Sequence, residues 1–169
     1  MKFVLVDRIS AIEPPSRIVT VKSLSLAEEY LADHFPTFPV MPGVLMLEAM
    51  VQTSAWLVRV TQDFKHSMIV LEEAKNINYK SFVTPGRTLE VTSEAITIDD
   101  RTSTFKASGR CGDEDMVKAR ITLRHYNLAE TDALLADSDA KIVSEMRTRF
   151  ELLGGPSALR VASAMTSDV

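Results

Sequence analysis

The stretch Pro42-Gly43-Val44-Leu45-Met46-Leu47-Glu48-Ala49-Met50-Val51-Gln52-Thr53-Ser54-Ala55-Trp56-Leu57-Val58-Arg59-Val60 decides the fold. Proline heads it where a missing backbone N–H costs nothing, and no helix breaker follows before Val60. The pattern predicts one long helix. Its apolar residues, from Val44 to Val58, occupy every face, which predicts a central helix wrapped by the rest of the chain. A membrane span is the competing reading of Pro39 to Val58. Against it, Glu48 and Gln52 stand near the middle and Pro42-Gly43 break the start. A carboxylate at a bilayer centre costs at least about 2 kcal/mol, so the helix is expected to be buried in protein.

Working outward, Glu13-Pro14-Pro15-Ser16 reads as a turn and Arg17 to Leu24 as a β-branched strand. Leu26 to Leu31 suits one helical turn. Asp33 to Gly43 carries Pro36, Pro39 and Pro42, so it is expected to be a stiff, extended loop. Downstream, strands are expected from Met68, over Leu89 to Ile98, Thr102 to Ser108 and Met116 to His125. Turns at Thr84-Pro85-Gly86, Asp99-Asp100 and Gly112-Asp113 separate them. One buried helix followed by long strands at turn spacing predicts an α+β domain, an antiparallel sheet curled around a helix. From Thr131 to Leu153 a helical stripe of Leu135, Ile142, Met146, Phe150 and Leu153 returns, and Gly154-Gly155-Pro156 ends it. Residues 1–126 are therefore expected to form the domain. Residues 127–169 form a helical extension whose last dozen residues are expected to fray.

A chain of 169 residues, 46% hydrophobic and 25% charged, suits one globular domain with an appendage. A net charge of −4 argues against nucleic-acid binding. The lone Cys111 excludes an intramolecular disulfide and a Cys-rich zinc site, and Asp7-Arg8 interrupt Phe3 to Val6 too early for a signal-peptide core. A soluble, cytoplasmic protein without metal or redox cofactor is expected.

His34 and Glu48 are the residues best placed for chemistry. Burial on an apolar helix disfavours the charged form of a carboxyl, which suits a general acid. Histidine, which changes charge near neutrality, is the natural base beside it. Gly43 lies in the helix's first turn, where an N–H has no intrahelical partner and the dipole favours negative charge. Base, acid and oxyanion donor within fifteen residues suit proton abstraction next to a carbonyl, followed by loss of a leaving group. Gln52, one turn after Glu48, is the candidate partner of that carboxyl.

The run His34-Phe35-Pro36-Thr37-Phe38-Pro39-Val40-Met41-Pro42-Gly43-Val44-Leu45-Met46-Leu47-Glu48-Ala49-Met50-Val51-Gln52 resembles the motif of the 3-hydroxyacyl-[acyl-carrier-protein] dehydratases of the FabZ type. Leu5 to Arg8, Ile18 to Lys22 and Phe82 to Gly86 extend the likeness, which covers about residues 3–126. It implies a hot-dog fold and a site in which His34 removes the C2 proton of a 3-hydroxyacyl thioester. Gly43 N–H steadies the carbonyl oxygen, and Glu48 of the twofold mate protonates the departing hydroxyl. Phe35, Pro42, Met46, Met50, Gln52 and Trp56 are the implied substrate neighbours. The implied partners are an acyl carrier protein and a second copy, a homodimer being the smallest active unit and a trimer of dimers a common assembly. Lys75, Lys80 and Arg87 are the candidates for meeting an acidic carrier. Asp33 and Thr37 stand where the family has glycine. Two alternatives share the fold: a hot-dog subunit that binds acyl thioesters without dehydrating them, and a hot-dog thioesterase.

Overall fold

A computed structural model describes residues 3–160. The helix α1 spans Gly43–Thr61, and a single six-stranded antiparallel sheet curls around it. The strands are β1 (Arg8–Glu13), β2 (Arg17–Ser23), β3 (Met68–Tyr79), β4 (Thr88–Ile98), β5 (Thr102–Cys111) and β6 (Glu114–Tyr126). Their order is β1-β2-β4-β5-β6-β3, so β1 and β3 form the edges. This is the α+β hot-dog arrangement that the sequence predicts. β1 is the strand the sequence reading leaves out: Arg8, Ser10 and Glu13 interrupt its apolar alternation, and pairing with β2 overrides that weak signal. The expected turn at Leu26 to Leu31 is a single 3₁₀ turn over Glu29–Leu31.

The helix earns its central place through one face. Met46, Ala49, Met50, Thr53, Ser54 and Leu57 are all buried. Its two hydroxyls are satisfied twice: Thr53 Oγ1 donates to Ala49 O (2.7 Å) and shares a hydrogen with Thr20 Oγ1 (2.6 Å). Ser54 Oγ does the same with Met50 O (2.8 Å) and Ser93 Oγ (2.6 Å), so helix and sheet are registered by hydroxyls as well as by packing. The opposite face departs from the expected complete wrapping. Val44 is 67% exposed, and Leu45, Leu47 and Glu48 are only half-buried. The apolar stripe at the helix's N-terminal end is therefore not covered by its own chain.

Beyond β6, two 3₁₀ turns lead into α2 (Ala136–Leu152), which is followed by the short α3 (Gly155–Ala158). Asp139 ties α2 to the sheet, accepting Leu128 N and Ala129 N at 2.9 Å each and the Ser67 hydroxyl. Burial opposes ionisation of this carboxyl, but the three hydrogen bonds win and hold it below the usual aspartate range. The apolar stripe ends on Phe150, whose ring lies 6.1 Å from Trp56 and 6.0 Å from Phe64. The end of the helix is docked by Ile9 N donating to Leu153 O (2.9 Å). Most of the expected frayed tail, from 161 onward, lies outside the described residues.

Candidate active site

The loop before α1 is held at both ends. Phe38 N donates to Phe35 O (2.7 Å), and Met41 N donates to Val83 O (2.9 Å). Phe35 adopts a left-handed backbone with φ of 52°, which turns its ring against that of His34 at 4.5 Å. His34 is half-buried and Phe35 is 57% exposed. Neither Asp33 nor Thr37 has a positive φ. Glycine's conformational freedom is thus not required at those two positions, and the strain falls on Phe35 instead.

Pro42 occupies the N-cap of α1 with no side-chain cap, and its carbonyl accepts Leu45 N and Met46 N, so the amides of Gly43 and Val44 are left for another acceptor. A methyl group at position 43 would meet the ring of Tyr79 at 3.1 Å, so glycine is set there by close approach. Tyr79, at the end of β3, is a neighbour that sequence reasoning missed, because only the pairing of β3 with β6 carries it to the helix start. Partial burial pushes its phenol above the ordinary tyrosine range.

Glu48 follows five residues later, about 140° further round the helix, and so lies on its flank. Gln52 Nε2 donates to Glu48 Oε1 (2.9 Å) and to Phe3 O (3.1 Å), while Gln52 Oε1 accepts Leu5 N (3.0 Å). Gln52 is thus the partner of Glu48, as its spacing suggests. Glu48, Gln52 and Trp56 line a cavity of about 150 Å³ with Val51, Arg59 and, from α2, Arg149. His34, Phe35, Pro42 and Gly43 do not line it. Met46 and Met50 do not either: both are buried in the core, 2% and 0% exposed, on the helix face toward the sheet. A larger cavity of about 500 Å³ lies on the solvent side of the sheet between Thr92, Glu94, Lys106 and Lys118, away from the helix start. It holds none of the residues singled out from the sequence, whereas the smaller one holds Glu48, Gln52 and Trp56.

Lys75, Lys80 and Arg87 are each matched by a carboxylate: Glu73 at 2.8 Å, Asp115 at 3.0 Å and Glu114 at 2.7 Å. Lys75 and Arg87 are thus locally offset, whereas Lys80 shares Asp115 with Arg110 and Lys118. Two further histidines are buried, and Asp100 Oδ1 lies 3.9 Å from His66 Nε2. The rings of His66 and His125 lie 5.8 Å apart, and none of their four nitrogens has a hydrogen-bond partner. Burial, above all, pushes His125 down to about 4. No group of three metal-ligating side chains occurs among the described residues. No helix among them is long and apolar enough to cross a membrane.

The family model described as the FabA-like domain matches residues 1–120. The chain belongs to that family. Its relatives include the 3-hydroxyacyl-[acyl-carrier-protein] dehydratase FabZ of Clostridium kluyveri, 31% identical over 119 residues, which are 70% of this chain and 83% of the relative. The FabZ of Syntrophomonas wolfei is 40% identical over 92 residues, 54% of this chain and 64% of that one. Among solved structures, the dehydratase heterocomplex ApeI:P from Xenorhabdus doucetiae is similar with a TM-score of 0.64 and 17% identity, covering 79% of this chain and 90% of that one. A hypothetical thioesterase protein from Streptococcus pneumoniae, solved with coenzyme A, aligns with a TM-score of 0.53 at 14% identity over 70% of this chain and 84% of its own. At such identities these two structures speak to the fold alone, and the FabA-like family is separated from hot-dog thioesterases by the sequence match.

Proposed function

We propose that this member of the FabA-like family dehydrates 3-hydroxyacyl thioesters carried by an acyl carrier protein to trans-2-enoyl thioesters, in fatty-acid or related lipid synthesis. One observation carries the assignment of roles. The helix α1 starts with open amides at Gly43, beneath the His34 loop, and bears Glu48 on a flank that opens on a cavity. His34 takes the C2 proton, Gly43 N–H receives the negative charge that builds on the thioester oxygen, and Glu48 delivers a proton to the leaving C3 hydroxyl. Water departs and the two electrons of the C2–H bond become the new double bond.

Glu48 and His34 serve each other across two subunits. The rotation of about 140° between Gly43 and Glu48 turns the carbonyl donor and the acid apart within one chain, and His34 does not line the Glu48 cavity. The uncovered stripe around Val44 and Leu47 supports a mate at this end of the helix. So does β3, a twelve-residue edge strand. Its outer backbone groups are available for another strand. A homodimer is the minimal active unit, and three such dimers can associate. Residues 1–126 form the catalytic unit, and residues 127–169 an extension whose α2 closes the far wall of the Glu48 cavity. Cys111 is buried and its thiol is pushed up mainly by that burial, which suits a reducing cytoplasm.

The test is hydration of a crotonyl thioester, linked to coenzyme A or to carrier protein, by wild type, His34→Ala and Glu48→Gln. Each substitution is expected to lower turnover by about 10²- to 10⁴-fold with folding intact. Binding without turnover by the wild type would contradict the reading in favour of a non-catalytic subunit. Thioester hydrolysis that survives His34→Ala would do so in favour of a thioesterase.

A further inference from the structure

The cavity that begins at Glu48 ends in two arginines. Arg59 lies eleven residues further along α1, about 16 Å up the helix axis. Arg149 comes from α2, beyond the residues that the family model matches. Both line the cavity. Helical side chains lean toward the N-terminus, so Arg59 reaches back toward Glu48. Its guanidinium lies over the Trp56 ring, 5.4 Å from the centroid, and its Nε is sealed from solvent without a hydrogen-bond partner.

Neither arginine forms an ion pair among the described residues. Arg87 pairs with Glu114, Arg101 with Glu130, and Arg147, on the same helix as Arg149, with Asp63; Arg8, Arg120, Arg124 and Arg160 are unpaired too, but all four are exposed, whereas Arg59 is half-buried. Burial first, and the charge of Arg149 second, push Arg59 down to about 10, the signature of a cation desolvated beside a like charge. Between Glu48 and the arginines the wall is apolar, formed by Val51, Ala55, Ile69 and Met146. A ligand that fits has an apolar stem and an anionic end. Guanidinium groups favour a planar carboxylate there, which they hold through paired hydrogen bonds.

We propose that the cavity accepts a short acyl chain ending in a carboxylate, held by Arg59 and Arg149 while its thioester end lies at Glu48. A volume of about 150 Å³, near that of five waters, limits the chain to a few carbons. The placement of the thioester end rests on the dehydratase reading; the anion site does not.

Trp56 is the chain's only tryptophan and lines the cavity, so its fluorescence reports occupancy directly. Wild-type protein is titrated with glutarate and with its uncharged diamide, glutaramide, beside Arg59→Met and Arg149→Met. Glutarate is expected to give a saturable change that glutaramide does not, with Kd raised about tenfold or more in each variant, as for loss of a charge-assisted hydrogen bond. Arg149 is exposed, so its variant decides the matter even if Arg59→Met fails to fold. Equal responses to glutarate and glutaramide, or glutarate binding unchanged in Arg149→Met, would overturn the proposal. In the second arm, the ratio of kcat/KM for an enoyl thioester with a terminal carboxylate to that for its methyl-terminated counterpart is expected to fall about tenfold in Arg149→Met. An unchanged ratio would overturn it. No turnover of either thioester, with glutarate binding intact, would remove the dehydratase reading and leave the anion site established.

Discussion

Gln52 holds Glu48 from one turn below: its Nε2 donates to Glu48 Oε1 at 2.9 Å while its Oε1 accepts the amide of Leu5 at 3.0 Å. The acid of the proposed reaction is thereby positioned through Gln52 against a segment 47 residues from that glutamine in sequence. A hydrogen bond between neutral groups is worth about 0.5 to 1.5 kcal/mol. Gln52→Leu is therefore expected to lower kcat/KM by about 2- to 10-fold. Gln52→Glu, which keeps an acceptor for Leu5 N but places a second carboxyl beside Glu48, should not rescue it. Steady-state kinetics with a crotonyl thioester check both, and full activity in Gln52→Leu would remove Gln52 as a positioning residue.

Gly43 backs onto Tyr79, whose ring carbons lie 3.1 to 3.3 Å from where a methyl group would sit. Gly43→Ala keeps the backbone N–H but requires the ring or the helix start to give by a few tenths of an ångström. Turnover is expected to fall by up to about 10²-fold, the scale of a lost oxyanion donor. Gly43→Ala combined with Tyr79→Ala, which removes the obstacle, is expected to recover part of the loss. Equal activity of wild type and Gly43→Ala would show that the Tyr79 ring yields to the methyl group and that close approach does not govern turnover.

His125 supplies a pH dependence of stability. Its folded value lies at about 4 against the ordinary 6.5, so between those values the unfolded chain binds a proton that the folded chain refuses. Stability is complete above about pH 6.5 and is lost as pH falls toward 4, by at most about 3 kcal/mol. Urea unfolding across that window should show the decline, and His125→Phe should flatten it. The same slope in His125→Phe would assign it elsewhere.

Phe150 anchors α2 against Trp56 and Phe64, and its ring occupies the place a side chain on Gly155 would need. Phe150→Ala is expected to cost about 3 to 5 kcal/mol. Gly155→Ala should also destabilise, since its methyl would lie 2.1 Å from that ring. Denaturant midpoints decide, and a change below about 1 kcal/mol in Phe150→Ala would show that α2 is only loosely attached.

Much of this was legible because the signals were local. The breaker-free run after Pro42, the three prolines before it and the turns at Thr84-Pro85-Gly86 and Gly112-Asp113 each act within a few residues, so elements and order could be read directly. The motif from His34 to Gln52 carried the family for the same reason. What could not be read was set by distant contacts. β1 forms because β2 is beside it, Tyr79 meets Gly43 only through the sheet, and the charges of Lys75, Lys80 and Arg87 are met by carboxylates that spacing alone does not pair. Met46 and Met50, implied substrate neighbours on the same helix as Glu48, lie in the core because of their angle around the axis, which spacing from Glu48 alone does not reveal.

The central claim is that His34 of one subunit works with Glu48 of its mate. Mixing His34→Ala with Glu48→Gln after dissociation and reassociation tests it most directly. A heterodimer then holds one site with both residues altered and one with both intact. Random reassociation makes about half the dimers mixed, each with one working site of two, so crotonyl hydration should rise from near zero to about a quarter of wild type. Activity that stays at the level of the separate variants, with mixed dimers shown by mass spectrometry, would contradict the account and place both residues in the service of a single chain.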